Sequence, residues 1–185
     1  IYGIKGSIAN WDVSNVTSMQ RMFQGSRINP DISSWNISSV KNMKSMFESS
    51  SFNQNLGSWN LVDKNIDNIF KNCSSLTNSN VIKVLSKTIK TMNYSFYGVP
   101  ASMTGSIILP IVETMDYAFY NCSNMNIDFN LCSFDSATSM ISAFENCSLF
   151  NQPLSLFNPV NLLTNGLDRT FANCSSFNQN IPTLN

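Results

Sequence analysis

The sequence predicts a repeat solenoid. It is leucine-rich-repeat-like, with about seven coils, a short parallel β-sheet on one side and irregular or 3₁₀ arms on the other. Three observations carry this expectation. Phenylalanine returns at Phe23, Phe47, Phe70, Phe96, Phe119, Phe144 and Phe171, with gaps of 24, 23, 26, 23, 25 and 27 residues, and a period of that size marks units that bury their apolar faces against one another. Four residues before each Phe stands Met19, Met43, Ile66, Met92, Met115, Met140 or Leu167. Three residues after it, Cys73, Cys122, Cys147 and Cys174 share a column with Ser26, Ser50 and Val99.

The elements of one unit follow from the spacing of its apolar residues. The first unit reads Ile8, Trp11, Val13, Val16, Met19, Met22, Phe23, and the second repeats that spacing with Ile32, Trp35, Ile37, Val40, Met43, Met46, Phe47. In the third, Leu56-x-x-Trp59-x-Leu61 places positions 59 and 61 on one face of a strand. A strand this short has no partner inside its own unit. It is expected to pair in parallel with the matching strand of the next, with Trp11, Trp35 and Trp59 stacked above one another. The return segment, Val16-x-x-Met19-x-x-Met22-Phe23, is spaced by three and suits a 3₁₀ arm. An apolar residue follows the Cys column (Ile28, Phe52, Leu76, Met125, Phe150, Phe177), often with Asn-Gln after it. The reading is one domain over 1–185, with units near 8–31, 32–55, 56–78, 79–103, 104–128, 129–153 and 154–180. Strand-like residues at both ends (Gly3 to Gly6, and Ile181 with Leu184) make it read as one stretch of a longer array, because bare strand edges are an aggregation hazard.

Composition narrows the function. Eleven basic and eleven acidic side chains give zero formal charge. That argues against general attraction to nucleic acid or anionic membrane. Only 12% of residues are charged, so solubility rests on Asn, Ser and Thr. No apolar run is long enough for a membrane-spanning helix. There is no His, which removes the commonest general base and zinc ligand.

The run Trp-Asp-Val-Ser-Asn-Val-Thr-Ser-Met at 11–19, then Met22-Phe23 and Phe52-Asn53-Gln54, resembles the bacterial surface-protein repeat of about 25 residues known from mycoplasmas and other bacteria, the DUF285 type. The stretch from Met115 to Met125 is similar to the related BspA-like leucine-rich repeat. The resemblance covers nearly the whole chain, closest in the first three units. It implies a leucine-rich-repeat-like solenoid in an exported or surface-displayed protein used for adhesion or partner binding. It implies no catalytic residues. Similar repeats also occur in other microbes and in large viruses.

Each candidate chemistry has a plainer reading beside it. Four of the five Cys occupy one repeat column, where buried, inert thiols are the leading expectation. A disulfide between neighbouring rungs is the lesser one, and metal binding the least. Asn72, Asn121, Asn146 and Asn173 each open an Asn-Cys-Ser sequon. Their expected role is at a tight turn, satisfying backbone groups. Asp12, Asp31 and Asp63 fall in different columns, and Glu113 and Asp116 flank Met115 without a catalytic partner. Serine without His offers no triad. Lys83, Lys87 and Lys90 read as a solvated edge. No cofactor, metal site or catalytic group is expected.

The outward strand positions carry the functional reading. They are polar early in the chain (Asn10, Asp12, Ser34, Asn36, Ser58, Asn60) and become Leu85, Ile108, Leu131 and Leu156 later. An outward apolar stripe marks a contact surface. A register slip of one, in the units that depart from the pattern, would turn the same residues inward. The function expected is non-enzymatic: a surface-displayed repeat protein mediating protein–protein interaction or adhesion, extracellular or at the cell surface. The alternative is a structural component of a large assembly, such as a virus particle or surface layer, with assembly neighbours as partners. A flat Ser/Thr/Asn face for ice or polysaccharide is the weakest reading, because no Thr-x-Thr column repeats.

Overall fold

The computed structural model describes residues 6–56, 59–77, 85 and 89–181. Gly3, Ser58, Lys83, Lys87 and Leu184, all used above, lie outside the described residues. The expected solenoid with a parallel sheet and 3₁₀ arms is not what the chain forms. Among the described residues there is no helix and no strand. Neighbouring units meet instead through isolated parallel bridges, Ser18–Asn42, Asn42–Asn65, Thr91–Thr114, Ser106–Asp128 and Thr114–Ser139. Through the described residues the rest of the backbone is irregular coil and turn.

The physical reason lies in the spacing of three. The Trp11 amide donates to the Ile8 carbonyl (3.1 Å), Val16 to Val13 (2.9 Å), Trp35 to Ile32 (3.1 Å), Val40 to Ile37 (3.0 Å) and Trp59 to Leu56 (3.2 Å). Apolar residues three apart are thus the two ends of one β-turn, and both ends face the interior except at Trp11 in the first unit, which is 46% exposed. A strand would have sent them to opposite faces. The expected strand is a pair of turns.

Around each Phe the turns overlap. Met22 donates to Met19 (3.2 Å), Gln24 to Arg21 (3.1 Å) and Ser26 to Phe23 (3.0 Å). With every φ negative this would be a 3₁₀ helix. The residue two before each Phe is instead left-handed: Arg21, Ser45, Asn68, Tyr94, Tyr117, Ser142 and Arg169 have φ between 52° and 58°. So is the residue two after it: Gly25, Ser49, Asn72, Gly98, Asn121, Asn146 and Asn173. This alternation swings every second peptide out of the turn, so that its N–H reaches the following unit and its C=O the preceding one.

These axial peptides join the units. One chain of bonds runs Arg21 to Lys44 (3.0 Å), Ser45 to Asp67 (2.9 Å), Asn68 to Asn93 (2.9 Å), Tyr94 to Asp116 (2.8 Å), Tyr117 to Ile141 (2.8 Å) and Ser142 to Asp168 (2.8 Å). A second passes through the Phe amides at 2.8 to 2.9 Å, and a third through Gly25, Ser49, Asn72, Gly98, Asn121 and Asn146 at 2.7 to 2.9 Å. All three pass unbroken through seven units. Asn dominates the last of these columns because it tolerates the left-handed region. The expected turn role of Asn72, Asn121, Asn146 and Asn173 thus has a backbone cause rather than a side-chain one. Gly98, at φ 68°, has a second constraint, since a Cβ there would lie 2.6 Å from the Asn72 Oδ1.

The interior is filled by columns of like side chains. Ring centroids in the Phe column step 5.7, 5.5, 5.3, 5.3, 5.8 and 5.4 Å from Phe23 to Phe171. Trp11 and Trp35 stack at 6.4 Å and 8°, and Trp59 is buried. Each stacked pair adds about 0.5–1.5 kcal/mol to the burial of its rings. A second ladder uses side chains: the Asn53 amide donates to Asn29 Oδ1 (2.8 Å), Thr77 to Asn53 Oδ1 (2.9 Å), Asn151 to Asn126 Oδ1 (3.1 Å) and Asn178 to Asn151 Oδ1 (2.9 Å). That ladder gives the Asn after the Phe52 and Phe177 columns its role.

Candidate functional site

Turns that face their ends inward leave the residues between them outward, and this geometry sorts the proposed stripe. Ile108 is 42% exposed, Leu131 58% and Leu156 55%. Leu85 is fully buried, so it is not available to a partner. This corrects its place in the stripe: at this position of the fourth unit the side chain turns inward, the alternative that the sequence left open. Leu131 and Leu156 lie one unit apart, and beside them Ser155 Oγ donates to Asn130 Oδ1 (3.3 Å). Leu156 edges a shallow groove with Ser133, Asp135, Ser155, Phe157 and Asn158. Leu149, Val160 and Leu163 are also more than half exposed in the last two units. The matching positions of the early units, Asn10, Asp12, Ser34, Asn36 and Asn60, are exposed and polar.

The thiols are held for packing. All five Cys are free, and Cys73, Cys122, Cys132 and Cys147 are buried. Each thiol of the repeat column donates to the Phe carbonyl one unit back: Cys73 to Phe47 (2.7 Å), Cys122 to Phe96 (2.9 Å), Cys147 to Phe119 (3.0 Å) and Cys174 to Phe144 (3.0 Å). Burial pushes Cys73 and Cys174 up to about 11 and Cys122 and Cys132 up to about 12, and raises Cys147 as well. A thiol that stays protonated is neither nucleophile nor metal ligand at neutral pH. Among the described residues no three His, Cys, Asp or Glu side chains converge on a metal-sized site.

Two features escaped the sequence reading. Lys64 stands where the first two units have Val16 and Val40. It is 8% exposed, and its Nζ donates to the Val40 carbonyl at 2.7 Å. Burial lowers its pKa, and Lys41 lowers it further. The one-residue deletion before Ile66 was the available signal, since it moves a Lys into the apolar column. The second feature is a block of tyrosines: Tyr94, Tyr97, Tyr117 and Tyr120 recur in two columns 23 residues apart. Lys90, from the basic run, pairs with Glu113 at 3.2 Å.

The family model described as "Mycoplasma protein of unknown function, DUF285" matches residues 2–107 and 109–185. The chain belongs to this family. The DUF285 match spans both the regular early units and the irregular later ones; Leu131 and Leu156 lie in its second segment, and Ile108 is the single residue between the two segments. No curated protein and no solved structure matches the chain. Among the described residues of this DUF285 chain, no helix is long and apolar enough to cross a membrane.

Proposed function

We propose that this DUF285 chain is a non-enzymatic binding protein, displayed at a cell exterior, that holds a protein partner against the outward apolar side chains Ile108, Leu131 and Leu156. One observation carries the reading. These three residues are 42–58% exposed at positions where the first three units present Asn, Asp and Ser. Large aliphatic groups left about half exposed beside a packed core leave apolar area for a partner to cover, and exposed apolar patches mark contact surfaces. Display outside a cell is supported by the BspA-like character of the repeat. A second reading, a structural component of a virus particle or surface layer, is favoured by the low charge: Lys71–Glu48, Lys90–Glu113 and Arg169–Glu145 satisfy one another within the chain.

The test is affinity capture from a surface-protein fraction with the wild type and with Leu131→Asp/Leu156→Asp. Both substituted residues are exposed, so the thermal midpoint is expected to move little. A partner recovered at fixed stoichiometry with the wild type and lost with the double variant supports the reading. Equal recovery with both overturns it. Recovery of the chain at fixed copy number from purified particles favours the assembly component.

A further inference from the structure

The outer face of the overlapping turns is polar except at its centre and at Ala172 in the last unit. Two columns line it, the residue two before each Phe and the residue one after. In the fourth and fifth units these positions hold Tyr94, Tyr97, Tyr117 and Tyr120, four of the five tyrosines in the chain. Tyr94 stacks on Tyr117 at 4.8 Å and Tyr97 on Tyr120 at 4.8 Å. Tyr94 lies 5.9 Å from Tyr97, and Tyr117 lies 5.7 Å from Tyr120. All four remain half-buried. Tyr94 and Tyr117 hold φ of 57° and 55°, a region unfavourable for a bulky side chain. Asn68 fills the same position in the third unit at no such cost. Every unit is left-handed at this position, so what calls for a function is the choice of tyrosine there, in a half-buried aromatic block, where Asn would sit without strain.

Charges bracket the block. On one side the Lys71 ammonium sits 5.0 and 5.4 Å from the Tyr94 and Tyr97 ring centres, with Glu48 one unit further back at 4.0 Å. On the other, the Arg169 guanidinium reaches back to Glu145, with Nε donating at 2.9 Å. Glu145 is buried beneath Arg169, its side chain 4% exposed, so the charges this face offers are Glu48 and Lys71 before the tyrosines and Arg169 after them. Turned end for end, the face sets Arg169 of one copy opposite Glu48 of the other.

We propose that this face binds a second copy of the chain, antiparallel, about a two-fold axis passing between the fourth and fifth units. Tyr94 and Tyr97 then meet Tyr117 and Tyr120 of the second copy, and Arg169, whose side chain is 64% exposed, meets the second copy's Glu48. By symmetry each contact occurs twice, as an isologous interface requires. Tyrosine and arginine are the side chains that carry most binding energy in such contacts. A strip two columns wide and six units long falls short of the roughly 800 Å² per partner of a standard interface. The dimer is therefore a weak one, with Kd between about 10 μM and 1 mM.

The test is sedimentation equilibrium of the full chain from about 1 μM to 1 mM, a range that brackets that affinity. The wild type is expected to pass from monomer to dimer. Tyr94→Asn/Tyr117→Asn is expected to stay monomeric throughout while keeping or raising its thermal midpoint, because Asn suits the left-handed backbone. Glu48→Arg, outside the ring stack, is expected to weaken the dimer at least about tenfold, since it sets like charges together. Leu131→Asp/Leu156→Asp is expected to leave the dimer intact, which separates this face from the partner site above. A wild type that stays monomeric overturns the proposal. So does a tyrosine double variant or a Glu48→Arg variant that dimerises as the wild type does, or a dimer lost with the leucine variant instead.

Discussion

Raising the pH from 8 to 10 is expected to destabilise this protein far more than its neutral composition suggests. The cause is the set of buried thiols, Cys73, Cys122, Cys132 and Cys147. Each has an ordinary value of 9.0, raised in the folded chain by burial, to about 11 for Cys73 and about 12 for Cys122 and Cys132. The folded chain keeps its protons at pH 10, and the unfolded chain releases them. The unfolded state then binds fewer protons, so stability falls as pH rises above 9. Once the folded value exceeds the working pH, the loss depends only on the unfolded value. It is about 1.3 kcal/mol per thiol between pH 8 and pH 10, or about 5 kcal/mol for four. Lys64 works the other way: its folded pKa is lowered from 10.5, so it gains stability as pH rises towards that value, but it is one group against four. A loss of about 5 kcal/mol is a large part of the roughly 5–15 kcal/mol that holds a domain folded. It corresponds to a fall in Tm of roughly 10–20 °C. The assay is thermal unfolding followed by tryptophan fluorescence, in reductant, at half-unit steps of pH. A variant with Ala at all four positions is expected to start less stable and to show a much flatter slope above pH 9. Coincident midpoints at pH 8 and pH 10, or an equal loss in the four-fold variant, would refute the reasoning.

Three further outcomes are expected. Asn121→Val places a β-branched residue at φ 60° and is expected to cost about 1–2 kcal/mol, whereas Asn121→Gly stays within a few tenths of the wild type; urea unfolding separates them. Phe119→Ala opens a void in the centre of the ring column and is expected to cost about 3–5 kcal/mol, with loss of the cooperative transition read by circular dichroism. Glu145 is held below its ordinary value first by the hydrogen bond from Arg169, so the pair's contribution is present above pH 4.5 and fades as pH falls through the lowered value. Arg169→Gln is expected to remove that part of the acid dependence in a pH titration of Tm.

The period and the columns were legible from residue identity alone, because like side chains must recur wherever like units bury the same face. Ile32, Val40, Met43 and Phe47 are fully buried, and Ile108, Leu131 and Leu156 do face out. The backbone conformation was not legible. Apolar residues three apart fit a turn, a 3₁₀ arm or, over two positions, a strand. What decides among them is the left-handed φ at residues such as Ser45 and Tyr94, and neither residue type advertises that conformation. Leu85 and Lys64 failed for a different reason. Lys64 sits where a unit has lost one residue, and Leu85 in a unit where Ser86 replaces an apolar residue; in both places the column assignment slips while the interior still demands to be filled.

The axial peptides also give the array an electrical direction. In an antiparallel sheet neighbouring strand dipoles alternate and largely cancel. Here every second peptide around the Phe column aligns with those of its neighbours, each worth about 3.5 D. Seven layers of amides therefore add, as they do in an α-helix, with positive potential leading towards Phe171 and negative towards Phe23. Duplicating a unit would lengthen this field without disturbing it, because each layer offers the next the same donors its predecessor offered it.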